Sequence, residues 1–170
     1  MANAHPAHGS EQGFTLVELV TVLVLLGVLA AVALPRLGGI ATYSERAGGD
    51  RLVSGLRYAQ QQALSRNRFV RVRTRVPAAD RFRLQFCQAR AGSPSACPGW
   101  TTLSPPTRAG SDWTLAGDLT FDSGVTLFFD GLGRPVDSAG SALGSARTVA
   151  AGGGAVTVAV EPTTGFVHAG

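Results

Sequence analysis

The longest apolar stretch of the chain covers residues 14–34, and Glu18 is the only charged residue in it. At a rise of 1.5 Å per residue, a helix of this length is roughly 31 Å long. The hydrocarbon core of a bilayer is about 30 Å thick, and a helix satisfies its own backbone polar groups there. The pattern therefore predicts a transmembrane helix over residues 14–35.

A second helical pattern follows this stretch. Pro35 removes one backbone hydrogen bond, so we expect it to kink the helix and the helical structure to continue over residues 36–66. Asp50 is expected to cap the part of this helix that packs on a sheet. Apolar residues recur there at helical spacing, and they predict a buried stripe formed by Leu52, Val53, Leu56, Ala59, Ala63 and Leu64.

From residue 67 onward the apolar period changes to two, which is typical of β-strands. Residues 69–76 and 82–86 flank a turn at 77–80 and predict a hairpin whose apolar side covers the helix. The other side is expected to carry a row of arginines: Arg71, Arg73, Arg75, Arg81 and Arg83. This row is either a solvated surface that prevents aggregation or a surface that binds anions or DNA. No aromatic residue alternates with the arginines, which weakens the DNA interpretation.

The rest of the chain is rich in turn residues. Residues 99–117 are expected to be mostly loop, with Trp100 and Trp113 as anchors. Short strands are predicted at 119–121, 125–129, 147–150, 155–160 and 166–168, separated by Gly, Asp and Pro turns. The predicted class is α+β: a long N-terminal helix packed on a small antiparallel β-domain that covers residues 67–170.

Composition narrows the function classes. The net charge of +4 and the pI near 10.0 permit an anionic partner without requiring one. The sequence contains no phosphate-binding glycine loop, no nucleophilic serine elbow and no paired-histidine zinc motif. We therefore predict that the chain is not an enzyme and that it uses no cofactor and no metal ion. A loose calcium site at Asp122, Asp130 and Asp137, which are too dispersed for an EF-hand loop, is the alternative.

Glu18 requires an explanation because a carboxylate within a membrane helix costs about 2.5–3.5 kcal/mol on insertion scales. In one interpretation Glu18 is an acid at the membrane interface. In the other it has a positively charged partner. Cleavage between Gly13 and Phe14 would create an α-amino group one helical turn from Glu18. That amine could pair with Glu18 of its own chain or of a neighbouring chain.

Residues 13–18 and the apolar stretch behind them resemble the leader-peptidase site of type IV pilins and pseudopilins. The resemblance implies that prepilin peptidase removes residues 1–13, cutting after Gly13, and N-methylates Phe14. It also implies that Glu18 docks the subunit into a filament, and Pro35 falls where many pilins carry a kinking proline. The expected partners are other major and minor pilins. The expected location is the inner membrane, with a single span and a periplasmic domain, and later a pilus or pseudopilus.

Residues 56–60, 128–135 and 164–168 resemble GspH/FimT-type minor pilins, and among these the MSHA-type pilins. This implies a minor subunit of an MSHA-like type IV pilus or of a type II secretion pseudopilus. DNA-binding members of the FimT group carry a Gly-Arg-x-Arg motif near their end. At the matching place this chain has Gly165-Phe166-Val167-His168, without arginine. A DNA-binding minor pilin that acts in DNA uptake is the alternative.

Cys87 and Cys97 are the two cysteines of the chain. In a translocated domain an even pair indicates a disulfide, so we predict that these residues are joined. Their spacing does not fit a zinc knuckle and no histidine lies nearby, which disfavours a metal site. A catalytic thiol is disfavoured even more strongly than a metal site.

Overall fold

The computed structural model describes residues 15–37, 39–106, 110 and 112–170. The predicted leader and Phe14 lie outside these residues. The chain divides into two compact units, Met1–Ile40 and Ala41–Gly170. The described residues form helices followed by antiparallel sheets, which confirms the predicted α+β class.

The first unit contains helix α1, which spans Leu16–Leu37. Thr15 precedes it, and its hydroxyl accepts a hydrogen bond from the backbone N–H of Glu18 at 3.3 Å. This is the arrangement of a helix N-cap. The large apolar side chains between Leu16 and Leu29 are 48–79% exposed. No helix among the described residues is both long and apolar enough to cross a membrane.

Helix α2 spans Gly39–Arg66. Asp50 lies inside this helix, so the prediction that Asp50 is an N-cap is wrong. Gly48 and Gly49 do not interrupt the helix. At both positions a neighbouring side chain comes close to the helix backbone. A Cβ at Gly48 would collide with the Leu119 side chain, and one at Gly49 would lie 3.6 Å from Val156. These glycines let α2 pack closely on its neighbours.

The first sheet has six strands in the order β3-β2-β1-β5-β6, with β4 pairing to β2 beside β3. All its pairs are antiparallel. The predicted hairpin is confirmed as β1 and β2, with Val72 opposite Leu84. The strands are β1 (Val70–Thr74), β2 (Arg81–Cys87), β3 (Trp100–Leu103), β4 (Trp113–Thr114), β5 (Thr126–Phe129) and β6 (Pro135–Val136).

The second sheet contains β7 (Arg147–Ala151), β8 (Val156–Val160) and β9 (Val167–Ala169), in that order. The described part of residues 99–117 is mostly loop, as predicted, and its two short strands, β3 and β4, carry Trp100 and Trp113 and pair with β2. One prediction fails between the sheets. Residues 119–121 do not form a strand, since only Phe121 makes a single bridge, to Ala151.

One face of α2 and the inner faces of both sheets form a common core. Leu52, Leu56, Ala59 and Ala63 of the predicted stripe are fully buried. Leu64 is 49% exposed, so its assignment to the stripe is wrong. Burying a leucine side chain contributes about 1.5–3 kcal/mol. The sheets contribute further buried side chains, among them Val70, Val72, Phe82, Leu84, Phe121, Phe129, Val149, Val158, Val160 and Val167.

Gly55 is the point at which α2 comes closest to the first sheet. A Cβ at Gly55 would lie 2.5 Å from a ring carbon of Phe82, which is fully buried and stacked on Trp113 at 5.6 Å. We expect Gly55→Ala to lower the free energy of unfolding by about 1–3 kcal/mol through overpacking. The loss should occur although alanine favours a helix by about 1 kcal/mol over glycine.

The measurement is urea unfolding of the full-length chain in detergent, followed by near-ultraviolet circular dichroism. Gly124→Ala is the matched control, because no atom lies within 4 Å of a Cβ there. It should stay within about 0.5 kcal/mol of the wild type. Equal stability of the Gly55 variant and the control would contradict close packing at Gly55.

Candidate functional site

Roles are predicted for four residues near the amino terminus, and the structure describes two of them, Glu18 and Pro35. Gly13 and Phe14 lie outside the described residues. Glu18 lies in the first turn of α1, where a negative charge suits the helix dipole. Pro35 lies within α1, two residues before its end. The roles predicted for these four residues stay predictions.

Pairing of β1 with β2 brings most of the predicted arginine row together. Arg71 lies opposite Gln85, and Arg73 lies opposite Arg83. Because side chains alternate along a strand, these residues and Arg81 share the face that points away from α2. A row of arginines on the outer face of the hairpin is therefore confirmed for Arg71, Arg73, Arg81 and Arg83.

Arg75 does not belong to this row. It follows the end of β1 and has φ 58°. Its guanidinium donates to the carbonyls of Phe121 and Asp122 at 3.4 and 3.3 Å. The prediction is wrong for Arg75 because β1 ends at Thr74, whose hydroxyl pairs with the loop at residues 123–125.

Two arginines of the row have carboxylate partners. Arg83 binds Asp112 through two of its three guanidinium nitrogens, with Nε at 2.5 Å and Nη2 at 3.0 Å from the carboxylate oxygens. The hydrogen bond to Asp112 raises the pKa of Arg83, burial opposes this, and the charge of Asp112 adds to it. Arg81 lies 4.0 Å from Asp80. Asp112 thus largely compensates the charge of Arg83, whereas Arg81 has only a long, exposed contact with Asp80.

Arg71 lies against aromatic side chains from neighbouring strands. Its guanidinium carbon is 4.3 Å from the centroid of the Trp100 ring, within the range of a cation–π contact. Its Nε donates to Gln85 at 2.8 Å. The centroids of Trp100 and Phe128 are 6.1 Å apart. No aromatic residue alternates with the arginines along the hairpin, but β3 and β5 flank it and bring Trp100 and Phe128 to the same face.

The positive charge of Arg71 and Arg73 has no carboxylate partner in the described part of the chain. Burial, and after it the charge of Arg73, lower the pKa of Arg71. We call the surface formed by Arg71, Arg73, Trp100 and Phe128 the arginine–aromatic face. It combines two uncompensated cations with two half-buried rings.

The predicted disulfide is present in the structure between Cys87 and Cys97, whose Cα atoms are 5.8 Å apart. It closes a loop that contains a short 3₁₀ turn, Pro94–Ala96, capped by Ser93. Closing a loop of this size stabilises a fold by somewhat under 3 kcal/mol in the chain-entropy model. Within the described ranges, His, Cys, Asp and Glu form no group of three that could hold a metal ion.

Two turns are held together by α2, and we call residues 130–134 and 161–166 the turn cluster. The side-chain amide of Gln60 donates to the carbonyls of Gly133 and Thr164, each at 3.0 Å. Gly133 and Gly165 have positive φ of 74° and 68°, which glycine adopts without strain. A Cβ at Gly165 would collide with the Gly133 carbonyl. The two turns therefore pack backbone against backbone.

Asp130 fixes the shape of the first turn. Its buried carboxylate accepts hydrogen bonds from the backbone N–H groups of Leu132 and Arg134 at 2.9 Å. It also binds the Arg134 guanidinium at 2.8 and 3.0 Å. Sequence reasoning gave no structural role to Asp130 or Gln60. The Asp-Gly-x-Gly pattern indicated the turn, and Gln60 was named only within the 56–60 resemblance, without any predicted contact.

Three large apolar side chains surround the turn cluster. Leu64, Leu132 and Phe166 are 49%, 65% and 55% exposed. Phe166 stacks on His168 with ring centroids 5.7 Å apart. The Nε2 atom of His168 lies 3.0 Å from the Glu161 carboxylate. The hydrogen bond to Glu161, followed by the contact with the Ala169 carbonyl, raises the pKa of His168.

Comparison with known families gives two matches. The profile described as prokaryotic N-terminal methylation motif matches residues 9–34. The profile described as type II transport protein GspH matches residues 49–164, which is more than half of the chain. No solved structure matches the chain at a significant level.

The His168–Glu161 pair predicts a pH-dependent stability. Because the folded-state pKa of His168 is raised, its contribution is complete below the unfolded value of about 6.5 and is lost as pH rises through the folded-state value. We expect His168→Gln to lower the Tm at pH 5.5 but not at pH 8.5. Thr163→Gln, exposed in the same turn, is the control for thermal scans. A Tm difference independent of pH would contradict the ion pair.

Proposed function

The chain belongs to the GspH family of type II transport proteins and carries the prokaryotic N-terminal methylation motif, which makes it a type IV pilin or pseudopilin; from this premise we propose that it is a minor subunit of the filament. The observation that carries the proposal is the presence of both matches, in that order, in one chain. The filament is a type II secretion pseudopilus or an MSHA-like type IV pilus. Residues 128–135 and 164–168 support the second possibility by resemblance.

The first step of the proposed function is processing. Prepilin peptidase cuts between Gly13 and Phe14 and methylates the new amino group. The apolar residues 14–35 then hold the chain in the inner membrane, and Pro35 introduces a kink. The disulfide between Cys87 and Cys97 supports a periplasmic location for the domain, because disulfides persist in oxidising compartments.

The second step is docking. The Phe14 amine remains basic after methylation, and its attraction to a carboxylate is stronger in the low dielectric of a membrane. We assign the amine of one subunit to Glu18 of its neighbour. In the free subunit, Glu18 also lies where it stabilises the first turn of α1. The chain needs no catalytic residues for this function, since the covalent chemistry is performed on it by the peptidase.

Glu18→Ala tests this assignment in the native host. Intact mass should show a chain that starts at N-methyl-Phe14 in both the wild type and the variant, because cleavage occurs at Gly13. The amount of the variant in sheared filaments should fall at least tenfold at an equal membrane level, because the neighbouring amine loses its counter-charge. Thr21→Ala is the control, since among the described residues the Thr21 hydroxyl bonds the Val17 carbonyl of its own helix.

Two results would contradict this proposal. An intact mass that shows residues 1–13 still attached to the membrane protein would contradict cleavage by the peptidase. Wild-type incorporation of Glu18→Ala would leave Glu18 as an interfacial acid with no role in docking.

A second candidate function is DNA binding during uptake, and the arginine–aromatic face is the observation that favours it. Single-stranded nucleic acid binds where cations contact phosphates and bases stack on aromatic rings. Arg71 and Arg73 supply uncompensated cations, and Trp100 and Phe128 supply rings on the same face. This surface is separate from the Gly165–His168 segment, where the FimT-type arginines are missing.

Fluorescence anisotropy of a labelled oligothymidine with the full-length chain in detergent tests this second function. Replacing both Arg71 and Arg73 by alanine should weaken binding at least tenfold. It should also reduce the slope of log K against log salt by about 1.4, at 0.7 per phosphate contact. Trp100→Leu should weaken binding without changing the slope. The control is the double variant Arg46→Ala and Arg51→Ala, which removes the same charge from α2, on the other side of the first sheet. Equal loss in the control would show non-specific attraction, and no binding by the wild type would exclude the function.

A further inference from the structure

Three large apolar side chains at the turn cluster are exposed to solvent, and we call them the apolar knob: Leu64, Leu132 and Phe166. The Cδ1 atom of Leu64 lies 3.2 Å from the position of a Cβ at Gly133, and Gly133 itself contacts Gly165. Leu132 and Phe166 adjoin these two glycines in the chain, so the three side chains belong to one patch. Exposed apolar patches mark surfaces that bind a protein, a ligand or a membrane.

A small cavity lies beside the knob. It has a volume of about 240 Å³ and is bordered by Arg68, Arg90 and Gly131. A Cβ at Gly131 would collide with Asn67, so this glycine lets the first turn pack against the segment that follows α2. The volume is below the roughly 300–1,000 Å³ of sites that enclose a drug-sized ligand. The cavity therefore suits a small polar group rather than a complete ligand.

The charge of this cavity is positive, and we call it the arginine cavity. Neither Arg68 nor Arg90 forms an ion pair with a described residue. No acidic residue is among the described residues that line the cavity. The two acids of the turn cluster, Asp130 and Glu161, each have a basic partner. Because the guanidinium fork matches the geometry of phosphate oxygens, the cavity fits a phosphate group.

The knob and the arginine cavity together suit the two parts of a phospholipid, an anionic phosphate beside apolar acyl chains. Proteins that bind a membrane surface do so through buried apolar area and attraction to anionic lipids. Two of the three knob residues are leucines, which lack the rings on which nucleic-acid bases stack. Gln60 and Asp130 already fix the two turns through hydrogen bonds, so binding orders little of the chain. These features favour a lipid surface over a nucleic acid.

We propose that the apolar knob and the arginine cavity form a docking site for an anionic phospholipid surface. The knob enters the boundary between the headgroups and the acyl chains, and Arg68 and Arg90 bind lipid phosphates. The site lies within the second unit and is distinct from the apolar residues 14–35. It goes beyond the filament function and does not depend on it.

The test uses the full-length chain in phosphatidylcholine nanodiscs, sedimented with sucrose-loaded vesicles. The vesicles contain phosphatidylcholine alone or an equal mixture with phosphatidylglycerol, and we expect at least tenfold tighter binding to the mixture. Arg68→Gln with Arg90→Gln should weaken binding to the mixture at least tenfold, at roughly fivefold for each arginine near an anionic surface. The matched control is Arg46→Gln with Arg51→Gln, which removes the same charge roughly 20 Å or more away along α2. The control should change the affinity less than threefold.

The knob is tested by two further measurements. Leu132→Gln with Phe166→Gln should weaken binding to the mixed vesicles at least tenfold. A nitrobenzoxadiazole dye on Leu132→Cys reports insertion, because Cys87 and Cys97 are joined and do not react. Its emission should rise at least twofold on binding. The same dye on Ala155→Cys should not respond, since Ala155 is exposed and lies about 20 Å away, at the other end of β8 from the turn cluster.

Four results would overturn the proposal. Equal binding to both kinds of vesicle would show apolar adhesion without phosphate recognition, and equal loss in the arginine control would show long-range attraction. Complete displacement by inorganic phosphate or oligothymidine at the same phosphate concentration would show a site for a free anion or for nucleic acid. No binding by a chain with the wild-type circular dichroism spectrum would leave the knob to a protein partner. None of these results bears on processing or on incorporation into filaments, so the filament function is tested separately.

Discussion

The structure of the second unit depends on burial of one face of α2. Leu52, Leu56, Ala59 and Ala63 lie in a core shared by the two sheets, and each large side chain there contributes about 1.5–3 kcal/mol. Small residues on the same helix allow this burial. Gly55 admits the ring of Phe82, and Gly48 admits Leu119. Interiors are close-packed, so the helix and the sheets fix one another's positions.

This packing also determines where the turn cluster and the arginine–aromatic face lie. Gln60 of α2 holds the two turns of the cluster together through hydrogen bonds. Leu132 and Phe166 of these turns are exposed to solvent. On the opposite face of the first sheet, the hairpin that covers α2 carries Arg71 and Arg73 outward. The same alternation that buries Val70 and Val72 exposes these arginines, so the core and the outer face are two results of one register.

How far the site was predictable depends on the range of the interaction concerned. The methylation motif and the cysteine pair were visible in the sequence, because each is a local pattern with its own chemistry. The separation of Arg75 from the row was not, because it follows from a backbone turn stabilised by carbonyls of residues 121 and 122. The clamp formed by Gln60 joins positions more than seventy residues apart, and no local pattern marks such a bond.

The sequence by itself determined the long apolar stretch, the helical stripe and the β1–β2 hairpin, because hydrophobic period is a local property of the chain. Only the tertiary structure decided which aromatic rings accompany the arginines. Trp100 and Phe128 join them through the pairing of β3 with β2 and of β5 with β1. A helix over residues 36–66 was predicted, but only the tertiary structure explains the glycines at positions 48 and 49. Close packing on Leu119 and Val156 outweighs the low helix propensity of glycine, a cost of about 1 kcal/mol per residue.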